Sequence, residues 1–358
     1  MASNEKPVRQ DSPFFGRWTL VFLTITIAVI LLAAWVITAA PNESPETLLL
    51  RARQHFLRGQ YEQAEADAGM AVTIAPLNSV ARLLAARSAL ASGSPLRALK
   101  HLDVQASGAS TDVAATAFKA EIQHMELYRF AEAEVTYRAV LNVNPDHPAA
   151  NEGLAKLLAA CGRRFEAIPH ILRLVQLGQP SDLLLVLARE SGAISDEELL
   201  RKAIAADQTA ASPLLGMARL ADARLEPIEA VRYCRLAIQQ QPGLLAAHAE
   251  LGKYLLQLSA FGQLEFWKEQ LPGNSAESPA IQNVIGFLEL HHGDRAAAFS
   301  AFLHCARLAP DSKEACFQLS QILFATGDEK TAEAFADQVR RIHLLHESQD
   351  RALFSGDE

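Results

Sequence analysis

The sequence is poor in the residue patterns that build reactive or metal-binding sites. Its four cysteines never form a CxxC pair and never precede a histidine as in CxxCH, so the signatures of zinc ribbons, thioredoxin-like sites and c-type haem attachment are missing. The motifs GxSxG, HExxH, GxxxxGK[ST] and GxGxxG are missing too. These absences argue against a conventional hydrolase, metalloprotease or nucleotide enzyme, and we expect neither catalysis nor a cofactor.

Aromatic residues and positive charge are also scarce. Aromatic side chains make up 7% of the 358 residues, which is low for an all-β domain, whereas 50% apolar residues are too many for a disordered chain. The 33 Lys and Arg residues are outnumbered by 41 Asp and Glu, for a net charge of −8. Because nucleic-acid binding depends on clustered positive charge, the composition predicts a folded helical protein without a nucleic-acid partner.

One long apolar run stands near the N-terminus. Residues 18–40 contain no ionisable side chain and would form a helix roughly 35 Å long, enough to span a bilayer. Trp18 and Trp35 lie near its ends, where interfacial tryptophans are common. A cleaved signal peptide remains the alternative, although the run exceeds an ordinary signal peptide's apolar region and Pro41 follows the potential cleavage site. An uncleaved transmembrane signal anchor is predicted.

The charges around this run predict its orientation. Lys6, Arg9 and Arg17 precede it, and the first ionisable residues after it are Glu43 and Glu46. The positive-inside rule then places residues 1–17 in the cytoplasm and everything after Pro41 outside. The predicted location is the bacterial inner membrane, single-pass, with the larger part of the chain in the periplasm.

The remaining chain is organised by a repeat of about 34 residues. Two series of mostly small residues, which we call the first and second ladders, recur with the spacings 34, 35, 34, 63, 34, 34 and 34. Small side chains at fixed spacing are typical of helices that cross closely. The first ladder is Ala64, Ala98, Ala133, Ala167, Ala230, Leu264, Ala298 and Ala332, and the second is Ala52, Ala86, Glu121, Ala155, Ala218, Gly252, Gly286 and Ser320.

The pattern resembles the tetratricopeptide repeat (TPR) family. In the first repeat the match is carried by Gly59, Tyr61, Ala64, Ala71 and Pro76, and a later repeat matches in the same order. The later repeat is matched at Gly286, Gly293, Asp294, Ala298, Phe302 and Pro310. The resemblance implies an all-α, right-handed solenoid of about nine helix-turn-helix repeats at residues 41–345, preceded by one transmembrane helix and followed by a polar tail at 346–358. The repeat between Gln176 and Asp207 is degenerate.

Candidate binding residues come from the ladder register. In the resembled family, the position directly after each second-ladder residue faces the concave groove, and here that position is often basic. The alternative is that these cations are solvated side chains on exposed helix faces and bind no partner. The predicted partner-binding residues are Arg53, Arg87, Lys156, Arg219 and Lys253, continued by the apolar Phe287, Phe317 and Phe324.

Other side chains suggest little chemistry. The histidines toward the C-terminus, among them His343 and His346, have no Cys or carboxylate at a recognised ligand spacing, so no metal site is predicted. The cysteines are expected to pack as small apolar residues, and whether Cys305 and Cys316 form a disulfide is left open.

The function predicted from these features is a membrane-anchored scaffold or adaptor. Stacked repeats offer a preformed groove for a protein or peptide partner, without a small-molecule substrate. The resemblance to bacterial single-span repeat proteins of the periplasm implies a role in the assembly or export of envelope proteins. The alternative is a structural auxiliary subunit of a stable membrane complex, in which the array has no transient partner.

Overall fold

The computed structural model describes residues 44–103, 112–179 and 196–354. Within these ranges the chain forms seventeen α-helices and no strand. They are α1 (Pro45–Leu57), α2 (Tyr61–Ile74), α3 (Ser79–Ala91), α4 (Pro95–Leu102), α5 (Val113–Glu121), α6 (Phe130–Val143), α7 (Pro148–Ala160), α8 (Arg164–Gln176), α9 (Glu197–Ala206), α10 (Ala211–Ala223), α11 (Pro227–Gln240), α12 (Leu245–Gln257), α13 (Phe261–Glu269), α14 (Pro279–His292), α15 (Arg295–Leu308), α16 (Lys313–Thr326) and α17 (Glu329–Phe354).

The chain divides into two compact bodies, an N-terminal body up to Ser88 and a C-terminal body from Ala89. In the N-terminal body α1 packs against α2. In the C-terminal body α10 packs against α11, α14 against α15 and α16 against α17, and the first two pairs also contact the next helix along the chain. Helices that contact mainly their sequence neighbours form a TPR-like helical repeat, as the ladders predict.

The residues of the first ladder are buried where the helices cross. All eight of its residues have no exposed surface, including Leu264, the one bulky member. Four second helices, α2, α6, α11 and α15, each end two residues before a proline, namely Pro76, Pro145, Pro242 and Pro310. The 3.6-residue apolar pattern thus determines where a second helix packs, and in these four repeats a helix-breaking proline follows its end.

The second ladder needs one correction. Glu121 is exposed, and the buried residue at this level is Ala120, with no exposed surface. Directly afterwards the chain forms a π-helix at Ile122–Glu126, whose wider turn accommodates one additional residue. The spacing from Ala86 to Ala120 is therefore the regular 34. The extra residue that makes the first ladder's spacing 35 lies between Ala120 and Ala133.

The described ranges include helix α9 of the degenerate fifth repeat. The fully buried Leu200 on this helix occupies the level of the first ladder. Helix α10 of the next repeat contacts α7 directly. A Cβ added at Gly216 would lie 2.9 Å from the carbonyl oxygen of Ala160, so only glycine permits this approach. Arg163, at the start of α8, reinforces it by donating to Ser212 at 3.0 Å.

Helix α17 continues past residue 345 to Phe354, so the predicted polar tail begins within a helix. Residues 271–279, between α13 and α14, contain a short 3₁₀ turn, Ser275–Glu277, and Pro279 begins α14.

The described part of the chain includes no helix long and apolar enough to cross a membrane. The predicted transmembrane segment, residues 18–40, lies outside the described residues, as does the predicted cytoplasmic segment, residues 1–17.

The first ladder yields a stability prediction. Ala298 is fully buried in a cluster with Phe302 and Leu319, so Ala298→Leu should lower the free energy of unfolding by about 1 to 3 kcal/mol through overpacking. The matched control is Ala296→Leu on the same helix, which is exposed and should change stability by less than about 0.5 kcal/mol. Chemical denaturation would measure both, and equal effects would contradict the proposed register.

Candidate functional site

We define the groove column as the position that follows each buried second-ladder residue on the first helix of a repeat. In the N-terminal body this column holds Arg53 on α1 and Arg87 on α3, and both side chains are exposed. In the C-terminal body it holds Glu121, Lys156, Arg219, Lys253, Phe287 and Gln321. The ladder register therefore places the predicted cations at equivalent helix positions, with an acidic residue among them.

The cations of the C-terminal body are paired with carboxylates. Arg219 Nη2 donates to Glu250 Oε1 at 2.6 Å, linking α10 to α12. Lys253 Nζ lies 3.0 Å from both Asp222 Oδ2 and Glu250 Oε2. This part of the column is thus a charge-balanced network of two cations and two anions, where the sequence alone predicted a basic strip.

Lys156 belongs to a looser pair. It forms an ion pair with Glu152 one turn earlier on α7, and both side chains are about half exposed. Exposed pairs of this kind contribute at most about 1 kcal/mol and exchange readily with water. Lys156 is therefore more available to a ligand than Arg219, whose partner Glu250 is buried.

Glu250 is the electrostatic centre of the network. Burial raises the pKa of its carboxyl, but the neighbouring charges of Arg219 and Lys253 outweigh burial, so the net pKa is below the usual range. The carboxylate stays ionised and holds two first helices together on the groove side. The ladder register identified the two cations, but nothing in the spacing indicated their buried partner.

The π-helix brings a second group of residues to this face. His124 is 3% exposed and packs edge-on against Phe130, with ring centroids 5.1 Å apart. Burial first, and the charge of Lys156 second, lower the pKa of His124 to about 4, so the ring is neutral near pH 7. Sequence reasoning missed this cluster because it placed Glu121 in the ladder. The bulky, charged residue in a series of small ones was the available signal.

The far end of the column is aromatic. Phe287 is half-buried and packs edge-on against Phe302, with ring centroids 5.2 Å apart. Phe317 and Phe324 on α16 are 47% and 44% exposed, and the exposed Gln321 lies between them on the same side of the helix. Two large aromatic side chains at i and i+7 provide a surface that a partner's apolar residues can cover.

The cysteines lie in the packed interior of the protein. All four cysteines are free and buried, and Cys305 Sγ lies 3.6 Å from Ser312 Oγ, so the disulfide left open above is not formed. Burial raises the pKa of Cys161 and of Cys234 above the usual range of a thiol. No group of three or more His, Cys, Asp or Glu side chains in the described ranges could hold a metal ion.

Comparison with known proteins finds the same type of fold. No family profile and no curated protein match the chain. Among solved structures it is similar to a chain of the APC/C hetero-tetramer Cut9–Hcn1 at 18% identity and a TM-score of 0.36, covering 77% of this chain. It spans only 55% of that relative.

Two further structures are similar over most of this chain. A tetratricopeptide repeat protein from Parabacteroides merdae is 15% identical, with a TM-score of 0.31, over 78% of this chain and 98% of its own. The human IFIT1 dimer with PPP-AAAA is 14% identical, with a TM-score of 0.39, over 85% of this chain and 69% of its own. At such low identity the likeness concerns the type of fold alone.

The buried carboxylate generates a pH prediction. Because the folded-state pKa of Glu250 is lowered, its contribution to stability is present above its unfolded-state pKa and is lost as pH falls through the lower folded-state value. Glu250→Gln should cost about 1 to 3 kcal/mol near pH 7 and should flatten the loss of stability in acid. Denaturation at pH 7 and at successively lower pH measures both effects.

The control for this prediction is Glu152→Gln, since Glu152 belongs to the exposed pair with Lys156 and should shift stability by less than about 1 kcal/mol. Acid profiles that remain parallel for the wild type and Glu250→Gln would show that Glu250 does not carry the linkage.

Proposed function

We propose that the protein is a membrane-anchored TPR-like scaffold that binds a segment of a partner protein along the groove column of its C-terminal body. The single observation that carries the proposal is the exposed aromatic end, where Phe317 and Phe324 lie on one side of α16 and remain 47% and 44% exposed. The proposed site includes Lys156, Arg219, Lys253 and Phe287 of the C-terminal body, and Arg53 and Arg87 stay predictions for the N-terminal body by itself. Apolar side chains of the partner cover the aromatic end, and its carboxylates approach Lys156.

The charges support a partner of defined chemistry. Arg219 and Lys253 are already paired with Glu250 and Asp222, so an acidic segment gains at these positions only by replacing an existing ion pair. Apolar burial at the aromatic end therefore supplies most of the affinity, and charge contributes orientation and association rate. The partner segment is apolar at one end and acidic toward the other.

The cellular setting of the proposal comes from the sequence. The uncharged residues 18–40, preceded by three cations and followed by acidic residues, favour a span in the bacterial inner membrane with the repeats in the periplasm. A preformed binding face held beside the membrane suits the assembly or export of envelope proteins. No catalytic step is part of the proposal.

The binding proposal is tested by photo-crosslinking in intact cells. A photoreactive residue at position 321, between the two phenylalanines, should give a specific adduct. Phe317→Ser with Phe324→Ser should reduce that adduct about tenfold or more because the partner loses its central apolar contacts. The half-exposed sites should leave unfolding nearly unchanged.

The matched control is Val135→Ser with Ile228→Ser, which removes two exposed apolar side chains from the second helices α6 and α11. This variant should leave the adduct intact. Equal adduct yields from both double variants would contradict binding at the aromatic end. Recovery of a fixed complex that is insensitive to both would favour the alternative of a structural auxiliary subunit.

The topology proposal is tested separately with reporter fusions. A phosphatase that is active only in the periplasm, fused after Glu358, should be active because the cations before residue 18 retain the N-terminus in the cytoplasm. Replacing Lys6, Arg9 and Arg17 by Glu is the matched change, and it should reduce the reporter's activity. An inactive wild-type fusion together with an active cytoplasmic reporter would overturn the topology without touching the binding proposal.

A further inference from the structure

A cavity of about 420 Å³ lies between α11, α12 and α13, lined by the second helices of two successive repeats and by the first helix between them. It arises from a difference in helix length. Helix α11 has 14 residues, but α13 has only 9 and ends at Glu269. By ladder register Ile238 of α11 corresponds to Pro272, which cannot continue the helix. The missing last turn of α13 leaves the cavity open beside α11 and α12.

The interior of the cavity is apolar and held in place. Leu251, Leu255 and Trp267 are almost fully buried, and the indole N–H of Trp267 donates to the carbonyl oxygen of His248 at 3.1 Å. The indole also packs directly over Gly252, where an added Cβ would come within 2.7 Å of the ring. The aromatic wall is therefore positioned before any ligand arrives.

The polar side chains that line the cavity are basic or neutral. Arg235 donates to Gln263 Oε1 at 2.7 Å and makes no ion pair with a carboxylate in the described part of the chain. None of the lining residues is acidic. His248 is buried, and its burial lowers its pKa, so Arg235 supplies the positive charge. The full lining is Arg235, Ile238, Gln239, His248, Leu251, Leu255, Gln263, Phe266, Trp267 and Gln270.

We propose that this cavity binds a small aromatic carboxylic acid, with its ring against Ile238, Phe266 and Trp267 and its carboxylate on Arg235. A volume of this size with an apolar interior and a few polar groups at one side is typical of small-molecule sites. Tryptophan and phenylalanine favour an aromatic ring, and an arginine without an acidic partner favours a carboxylate. The cavity is separate from the groove column, so the proposal does not depend on the proposed function.

The experiment uses Trp267 as the reporter. The chain contains three tryptophans, at positions 18, 35 and 267, so full-length protein with Trp18→Phe and Trp35→Phe leaves only Trp267. Titration with 3-phenylpropionate should change its emission saturably. In this background Arg235→Gln should weaken binding of the acid about tenfold and leave binding of the neutral 3-phenylpropanol unchanged, because only the acid uses the charge.

The matched control is Arg232→Gln on the same helix, because Arg232 is paired with Glu229 and does not line the cavity. It should leave the affinity for 3-phenylpropionate unchanged, with both variants retaining the helical circular dichroism of the parent. The absence of a saturable change in Trp267 emission would overturn the proposal. So would an equal loss of affinity in Arg235→Gln and Arg232→Gln, or equal binding of the acid and the alcohol to the parent.

Discussion

The structure depends on the close approach of helices at residues with almost no side chain. All eight first-ladder positions are inaccessible to solvent, and seven of them are alanine. Each alanine buries little apolar area, so stability comes from many small contacts repeated along the chain rather than from one large core. At these crossings each second helix packs on one face of a first helix. A different face of the first helix therefore carries the groove column.

The charged residues of the groove column do not form a uniformly basic surface. Arg219 and Lys253 have been drawn into ion pairs with Glu250 and Asp222, and a buried carboxylate that is paired on two sides fixes the relative position of α10 and α12. Removing one partner of such a network leaves a buried charge without its counter-charge, which destabilises the fold. A partner that covers the aromatic end does not have to break an ion pair, since the side chains of Phe317 and Phe324 are partly exposed to water.

Local departures from the 34-residue repeat account for the individual character of this array. One extra residue produces the π-helix after Ala120 and moves Glu121 into the column. The short fifth repeat brings α10 onto α7 through Gly216, and the early end of α13 opens the cavity beside Trp267. In each case a change in the length of a helix or turn, with the ladders themselves preserved, creates the feature.

The sequence by itself determined the repeat, because small residues and prolines at a fixed period have the same physical meaning wherever they occur: close crossings and helix ends. It therefore predicted the all-α fold, the buried first ladder and the positions of the column residues. Only the tertiary structure decided which residue absorbed the insertion near Glu121, which carboxylates neutralise Arg219 and Lys253, and where a cavity remains. Those outcomes rest on contacts between residues about 30 positions apart, and they depend on helix geometry and side-chain reach, which periodicity does not contain.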